Sequence, residues 1–347
     1  MQQEQLVRLF RQEFERCKLR PDETAIVLTG ERSPAAYAQA ALAAIRSLGA
    51  SGFQMTMPPP VAPPGAKEGT YVGLTAVTGQ RLAIETLKKA DFVVDLVLLL
   101  HSPEQVEILN AGTRMLLVVE PPEILERMSP TDDMRRKVEQ GGEILKRART
   151  LQLTSPAGTN VEMKLGQYPV ITQYGFTDQP GRWDHWPSSF LYTWPNEGGT
   201  NGTVVLGKGD FIWPLNRYVE SAVKLTIREG YIRSIDGGED ARALKAAMDS
   251  FNDPEAFAVS HIGWGVDKRA DWYALQKHPD AVGIDPLKTH ILVVKSTNHF
   301  VSGFGPVAKQ ILYSDGPGAL AGDPRRITYT KRKKPMWPFE ADPWSTK

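Results

Sequence analysis

The stretch DFVVDLVLLLHSPEQVEILN, Asp91 to Asn110, decides the fold class. Its first ten residues are apolar except for two aspartates, which predicts a buried strand over residues 91–100. Ser102 is placed to cap a helix that extends to Asn110, and Pro103 suits the first turn of that helix. A buried strand that leads directly into a helix is the repeating unit of α/β proteins.

The same alternation of strand and helix continues on both sides of this unit. Predicted strands are ETAIVLTG (23–30), GFQMTM (52–57) and TRMLLVVE (113–120), and predicted helices cover 3–18, 34–48, 78–89 and 130–149. Ser33 is placed to cap the second of these helices. The pattern predicts a Rossmann-like N-terminal domain over residues 1–150, with a parallel sheet covered on both faces.

The character of the sequence changes from LQLTSPAG, which begins at Leu151. Short strands separated by Gly and Pro turns follow, including a predicted hairpin that turns at Glu229-Gly230. One further helix is predicted over Glu239–Phe251. We therefore expect a second, α+β domain over residues 151–347.

Composition excludes several classes of protein. The 347 residues carry a formal net charge of +1, so no overall field favours nucleic acid or a membrane surface. The single cysteine, Cys17, excludes an intrachain disulfide, and no apolar run approaches the roughly 18 residues of a membrane span. The basic run KRKK (331–334) is interpreted as a solvated or docked tail, since one short run is too little for a nucleic-acid patch. These features predict a cytoplasmic protein, and they leave a homo-oligomer open.

Histidines are the main candidates for chemistry, because the chain has only six. His101 follows the strand of the opening stretch, at the end where open α/β sheets bind ligands. It is interpreted either as a partly exposed residue near a helix cap or as a general base.

A second histidine lies in PGRWDHWPSSF, Pro180 to Phe190. Around His185, the rings of Trp183 and Trp186 are predicted to wall a pocket for a planar polar ligand. Arg182 or Asp184 would orient the imidazole or a substituent of the ligand. The alternative is a tryptophan-rich loop packed at a domain interface.

Two further histidines each follow a strand-like run. His261 lies in AVSHIGWGVD and is either a structural histidine or a ligand, and His299 lies in VVKSTNHFVSGF. No role is assigned to His278 or His290.

Several phrases together resemble a known family. LLLHSPEQ, VVEPPEILERM, LGQYPVITQYGF, PGRWDHWPSSFLYTWPNE and FNDPEAFAVSHIGWG resemble 2,5-dihydroxypyridine 5,6-dioxygenases of nicotinate degradation, over about residues 20–275. The resemblance implies an aminopeptidase T-like second domain and an enzyme that uses Fe(II) and O2 to open the ring of 2,5-dihydroxypyridine, giving N-formylmaleamate. It also implies that His261 is an iron ligand, that His101 is the base, and that His185 hydrogen-bonds the substrate or oxygen.

The C-terminal part departs from that family. The family's remaining ligands form a His-x-Asp motif near the C-terminus, where this chain has Tyr313-Ser314-Asp315. From about residue 275, GIDPLKTHILVVKSTNHF and DPRRITYTKRKKPMWP instead resemble the end of microcystinase-C-like proteins. His299 and Asp315 are the candidate replacement ligands. The alternatives are an aminopeptidase T-like metallohydrolase, or an inactive fusion product that retains the pyridine pocket.

Overall fold

The computed structural model describes residues 1–60, 75–100, 102–212, 215 and 217–270. Its helices are α1 (Gln3–Arg16), α2 (Ala35–Ser47), α3 (Arg81–Leu87), α4 (Pro103–Asn110), α5 (Pro122–Arg127), α6 (Asp132–Arg147) and α7 (Glu239–Asp249). Its strands are β1 (Thr24–Thr29), β2 (Ser51–Thr56), β3 (Phe92–Asp95), β4 (Arg114–Val118), β5 (Thr150–Thr154), β6 (Asn160–Lys164), β7 (Ile171–Gln173), β8 (Trp183–Trp186), β9 (Phe190–Thr193), β10 (Thr200–Leu206), β11 (Phe211–Ile212), β12 (Arg217–Tyr218), β13 (Val223–Arg228), β14 (Tyr231–Gly237) and β15 (Ile262–Gly265). Among the described residues, no helix is both long and apolar enough to cross a bilayer.

The first sheet has the strand order β2-β1-β3-β4-β8, and every neighbouring pair is parallel. This confirms the predicted α/β class. Its last strand, β8, comes from beyond residue 150, and Met1–Asp271 forms one compact unit. A strand from beyond residue 150 thus completes the first sheet, and the domain boundary at residue 150 stays a prediction.

Helices cover both faces of this sheet, as the alternation predicted. On one face, Phe10 and Phe14 of α1 and the alanines of α2 pack in one core cluster with Val27 and Phe92. On the other face, α3 and α4 contribute Ile84, Leu87 and Ile108, which pack against Ile26, Leu28, Val93 and Met115. Burial of these apolar side chains on two faces explains why the central strands are almost wholly apolar.

The strand of the opening stretch is shorter than predicted. It ends at Asp95, whereas the prediction extended it to Leu100. The buried Asp95 carboxylate accepts hydrogen bonds from the backbone N–H groups of Val97, Leu98 and Leu99, at 2.8–2.9 Å. These bonds hold a turn in place of further strand, with Leu98 at a φ of 63°.

The predicted helix caps differ in their outcome. Ser102 caps α4, because its hydroxyl accepts a hydrogen bond from the Gln105 N–H at 3.1 Å. Ser33 does not cap α2, whose N-cap position is occupied by Pro34. Its hydroxyl instead accepts from the Gly30 N–H and donates to the Leu96 carbonyl, both at 2.8 Å. Ser33 therefore ties the loop after β1 to the turn after β3.

The remaining strands form antiparallel sheets. The larger has the order β14-β13-β10-β6-β5 and includes the predicted hairpin, and α7 packs against it. A three-stranded sheet, β15-β9-β7, lies against α6. At Gly141 a Cβ atom would stand 3.1 Å from the Leu191 side chain, and at Gly142 it would stand 2.6 Å from Thr172. The paired glycines let α6 approach this sheet closely, so they position β9 and β15.

Candidate functional site

The carboxyl ends of β3, β4 and β8 lie side by side in the parallel sheet. Ligands of open α/β sheets bind beyond such ends. The turn after β3 leads towards His101, which lies outside the described residues. Glu120 follows β4, and His185 lies in β8, opposite Leu117 of β4. The sheet thus brings His185 and Glu120 together at the edge where a ligand is expected.

The imidazole of His185 is mostly buried. A quarter of its side chain is exposed, but Nε2 has no accessible surface and no hydrogen-bond partner among the described residues. The nearest carboxylate oxygen is Oε1 of Glu120, 3.9 Å from Nε2. Burial lowers the pKa of His185 to about 4, so the ring is neutral at physiological pH.

Glu120, whose carboxylate lies nearest to Nε2 of His185, was not singled out from the sequence. Burial raises the pKa of its carboxyl group, because the surroundings disfavour the charge. Its backbone carbonyl accepts a hydrogen bond from the Tyr37 hydroxyl at 2.6 Å, which fixes the chain just beyond β4. A signal for Glu120 was present in TRMLLVVE, since a carboxylate directly after a buried strand lies at the ligand-binding edge.

Arg182 and Asp184 are occupied by backbone contacts instead of orienting the His185 ring. The buried Asp184 carboxylate accepts from the N–H groups of Tyr174, Gly175 and His185 at 2.9–3.0 Å. Arg182 donates to Asp184 at 2.7 Å and to the carbonyls of Thr172 and Phe176, with its guanidinium 3.7 Å from the Tyr174 ring centre. Burial raises the pKa of Asp184 to about 6 against these stabilising contacts. The pair therefore anchors β8 to the segment after β7.

The two tryptophans of the motif lie on opposite faces of the sheet. Trp186 is fully buried with the α1 side of the core, and its ring meets the edge of Phe10 at 5.2 Å. Trp183 is partly buried on the other face, beside the cluster that contains α3 and α4. Alternation along β8 puts Trp183 on the face of His185 and Trp186 on the face of Asp184. The structure consequently does not place Trp186 with Trp183 as a second wall beside His185.

His261 stands just before β15, on the three-stranded sheet. Its exposed ring packs against Tyr192, with ring centres 5.3 Å apart, and against Trp194 at 6.4 Å. Tyr192 is buried, and its hydroxyl accepts a hydrogen bond from Gln173 at 3.4 Å. The result is an accessible imidazole on an aromatic surface, which suits a metal ligand and a flat ligand alike.

The described residues alone do not complete a metal site. Nowhere among them do three His, Cys, Asp or Glu side chains converge to hold an ion. His261 supplies one donor, and the candidate ligands His299 and Asp315 lie outside the described residues. Sequence reasoning also passed over His278-Pro279-Asp280, a His-x-Asp triplet closer to His261, which likewise lies outside them. A search for the triplet by spacing alone would have found it.

We predict that His185 makes stability pH-dependent. Its pKa is about 4 in the fold and about 6.5 when unfolded, so the unfolded chain binds more protons between these values. Stability from this group is present above pH 6.5 and is lost as pH falls towards 4, by at most ~3 kcal/mol. Urea unfolding of the wild type and His185→Gln at pH 7 and pH 4.5 measures the difference. An identical pH dependence in the two proteins would contradict the prediction.

Comparison with known proteins gives a consistent result over most of the chain. The family profile described as 2,5-dihydroxypyridine 5,6-dioxygenase matches residues 5–288, and a second profile, MlrC C-terminus, matches residues 266–331. A 2,5-dihydroxypyridine 5,6-dioxygenase of Pseudomonas putida KT2440 is 44% identical over 277 residues, which is 79% of each chain.

Solved structures extend the comparison to the fold. The structure of 2,5-dihydroxypyridine dioxygenase from Pseudomonas putida KT2440 superposes with a TM-score of 0.78 at 43% identity, over 81% of this chain and 82% of that chain. AmpT from Thermus thermophilus gives a TM-score of 0.46 at 13% identity, a level from which nothing is inferred. With a family profile that spans most of its length and a relative of this identity, the chain belongs to the 2,5-dihydroxypyridine 5,6-dioxygenase family.

Proposed function

We propose that this protein is an Fe(II)-dependent dioxygenase that converts 2,5-dihydroxypyridine and O2 to N-formylmaleamate, a step of nicotinate degradation in the cytoplasm. The reaction breaks the ring bond between C5 and C6, and both oxygen atoms enter the product. Membership of the family supports the reaction class. The structural observation that carries the proposal is the neutral, desolvated imidazole of His185 at the ligand-binding edge of the sheet.

The residues have distinct roles in this proposal. His185 hydrogen-bonds the hydroxypyridine or oxygen, since a neutral imidazole can accept at one nitrogen and donate at the other. His101 takes the proton of the ring hydroxyl as the substrate binds. Trp183 lies on the same face of β8 as His185 and would contact the substrate ring. Arg182 holds β8 in position through Asp184, and Trp186 does so through the core.

His261 is the proposed first iron ligand. His299 and Asp315, or the His278-Asp280 pair, would supply the others, because affinity for Fe(II) comes from several ligands acting together. When bound, the metal supplies the electron transfer that allows a closed-shell ring to react with O2.

An inactive protein is the second candidate. The C-terminal match to another family over residues 266–331 favours it, because the resemblance to the dioxygenases implies that their last iron ligands lie near the C-terminus. Product analysis separates the two. Formation of N-formylmaleamate with two atoms of ¹⁸O from ¹⁸O2 supports the dioxygenase, and turnover of dipeptides without it would support a metallohydrolase. If neither product forms, the result supports the inactive protein.

Substitution of His101, the proposed base, or of His185, the proposed hydrogen-bonding residue, has a defined expected result. His101→Ala and His185→Ala should each lower kcat by about 100-fold, the usual contribution of general acid–base groups, while iron content stays at the wild-type level. Oxygen uptake and metal analysis of the same preparations check both points. Loss of iron in either variant would show that the residue is a ligand instead.

A further inference from the structure

Two desolvated polar groups face each other at the ends of β4 and β8. Nε2 of His185 has no accessible surface and no hydrogen-bond partner among the described residues. The Glu120 carboxylate, only a quarter exposed, makes no ion pair with other described residues besides this contact at 3.9 Å. Buried polar groups are almost always paired, since an unpaired one costs ~1–3 kcal/mol. Each group is therefore the available partner of the other.

The surroundings restrict how Nε2 of His185 and the Glu120 carboxylate can come within hydrogen-bond distance of each other. Nε2 cannot be reached by a water-sized probe, so the arrangement does not depend on a bridging water. The backbone of Glu120 is fixed by the Tyr37 hydroxyl, and β8 is fixed by the four hydrogen bonds to Asp184. From the 3.9 Å separation, a shift of the Glu120 carboxylate by about 1 Å reaches hydrogen-bond distance.

We propose that Glu120 is a positioning residue that accepts the Nε2–H of His185 and so leaves Nδ1 as the hydrogen-bond acceptor available to the ligand. The two nitrogens of a neutral imidazole have opposite roles, and the hydrogen bond made by one determines the role of the other. A quarter of the His185 side chain is exposed while Nε2 is covered, so the ring surface that a ligand can approach lies away from Nε2. The inference rests on the proposed function only in naming that ligand as the hydroxypyridine.

The tautomer of His185 tests the inference without requiring turnover. ¹⁵N-histidine NMR of the full chain, with the His185 signals assigned by their loss in His185→Gln, reports which ring nitrogen carries the proton. The wild type should show the Nε2–H form. Glu120→Met removes the acceptor at similar volume and should give a mixture of tautomers, whereas Glu123→Met, at an exposed carboxylate three residues away, should leave the wild-type form.

Kinetics gives the second readout. Glu120→Met should lower kcat with 2,5-dihydroxypyridine by about tenfold, and Glu123→Met should not change it. An Nδ1–H tautomer in the wild type, or an unchanged tautomer in Glu120→Met, would overturn the inference whatever the activity. A different outcome separates the two proposals. If the wild type shows the Nε2–H form, Glu120→Met loses that form, and the wild type has no turnover, the proposed function is refuted and the inference is upheld.

Discussion

His261→Ala should abolish both iron binding and oxygen uptake with 2,5-dihydroxypyridine. We expect Fe(II) affinity to fall by more than about 100-fold, because loss of even an outer-shell partner of a metal ligand costs about 10–100-fold. The fold should persist, since His261 is exposed at the start of β15 and its ring only lies on Tyr192 and Trp194.

Metal analysis after anaerobic loading with Fe(II) measures the first effect, and an oxygen electrode measures the second. His290→Ala is the matched control, because no role is assigned to that histidine. Thermal unfolding of the apo proteins shows whether the fold is retained. Full iron content in His261→Ala would rule out the ligand assignment.

Trp186→Ala should lower the free energy of unfolding by about 3–5 kcal/mol, the range found for large aromatic residues in cores. Trp186 is fully buried and meets Phe10 edge to face, and Phe10 in turn contacts Phe14 and Tyr37 in the same way. Removal of the indole would leave a cavity between β8 and α1, which cannot collapse without moving both.

Urea unfolding gives the stability of this variant. Trp264→Ala is the control: its side chain is 41% exposed, and we expect a loss of about 1 kcal/mol or less. Trp186→Phe should cost less than Trp186→Ala, because it keeps a ring and removes an indole N–H without a hydrogen-bond partner among the described residues. If Trp186→Ala were as stable as the wild type but less active, the result would contradict this core role and favour the pocket wall predicted from sequence.

Much of the first sheet could be predicted from local pattern. The strands around Val27, Val94 and Leu116 are apolar on both faces, and helices with their own apolar faces lie between them. β8 could not be predicted in this way. Its sequence, WDHW, has no apolar run, and it becomes a strand because it pairs with β4, which ends some 65 residues earlier in the chain. Such pairing is a tertiary effect that local propensity does not encode.

At the end of β3 the sequence pattern predicts too much strand, whereas at β8 it predicts none. The residues after Asp95 are apolar enough to continue a strand, but the Asp95 carboxylate captures three backbone N–H groups and turns the chain. Competition of an aspartate side chain for backbone donors is a local effect, and here it outweighs the strand preference of the apolar run.

The candidate site was partly accessible from sequence. His185 and His261 stand out because histidines are few; the structure puts the first at a strand end and the second on an aromatic surface, and their roles stay predictions. The roles of their neighbours were not accessible. Alternation along β8 sends Asp184 and Trp186 into the core, and Glu120 approaches His185 only through the parallel pairing of β4 with β8.

We expect this chain to retain a working iron site despite its atypical C-terminal region. Metal content and oxygen uptake, measured on protein loaded anaerobically with Fe(II) and mixed with 2,5-dihydroxypyridine, test it most directly. We predict about one iron per chain and oxygen uptake that requires the substrate, with both lost in His261→Ala. Iron well below one per chain, together with no uptake, would contradict the claim and mean that the chain keeps the dioxygenase scaffold without its chemistry.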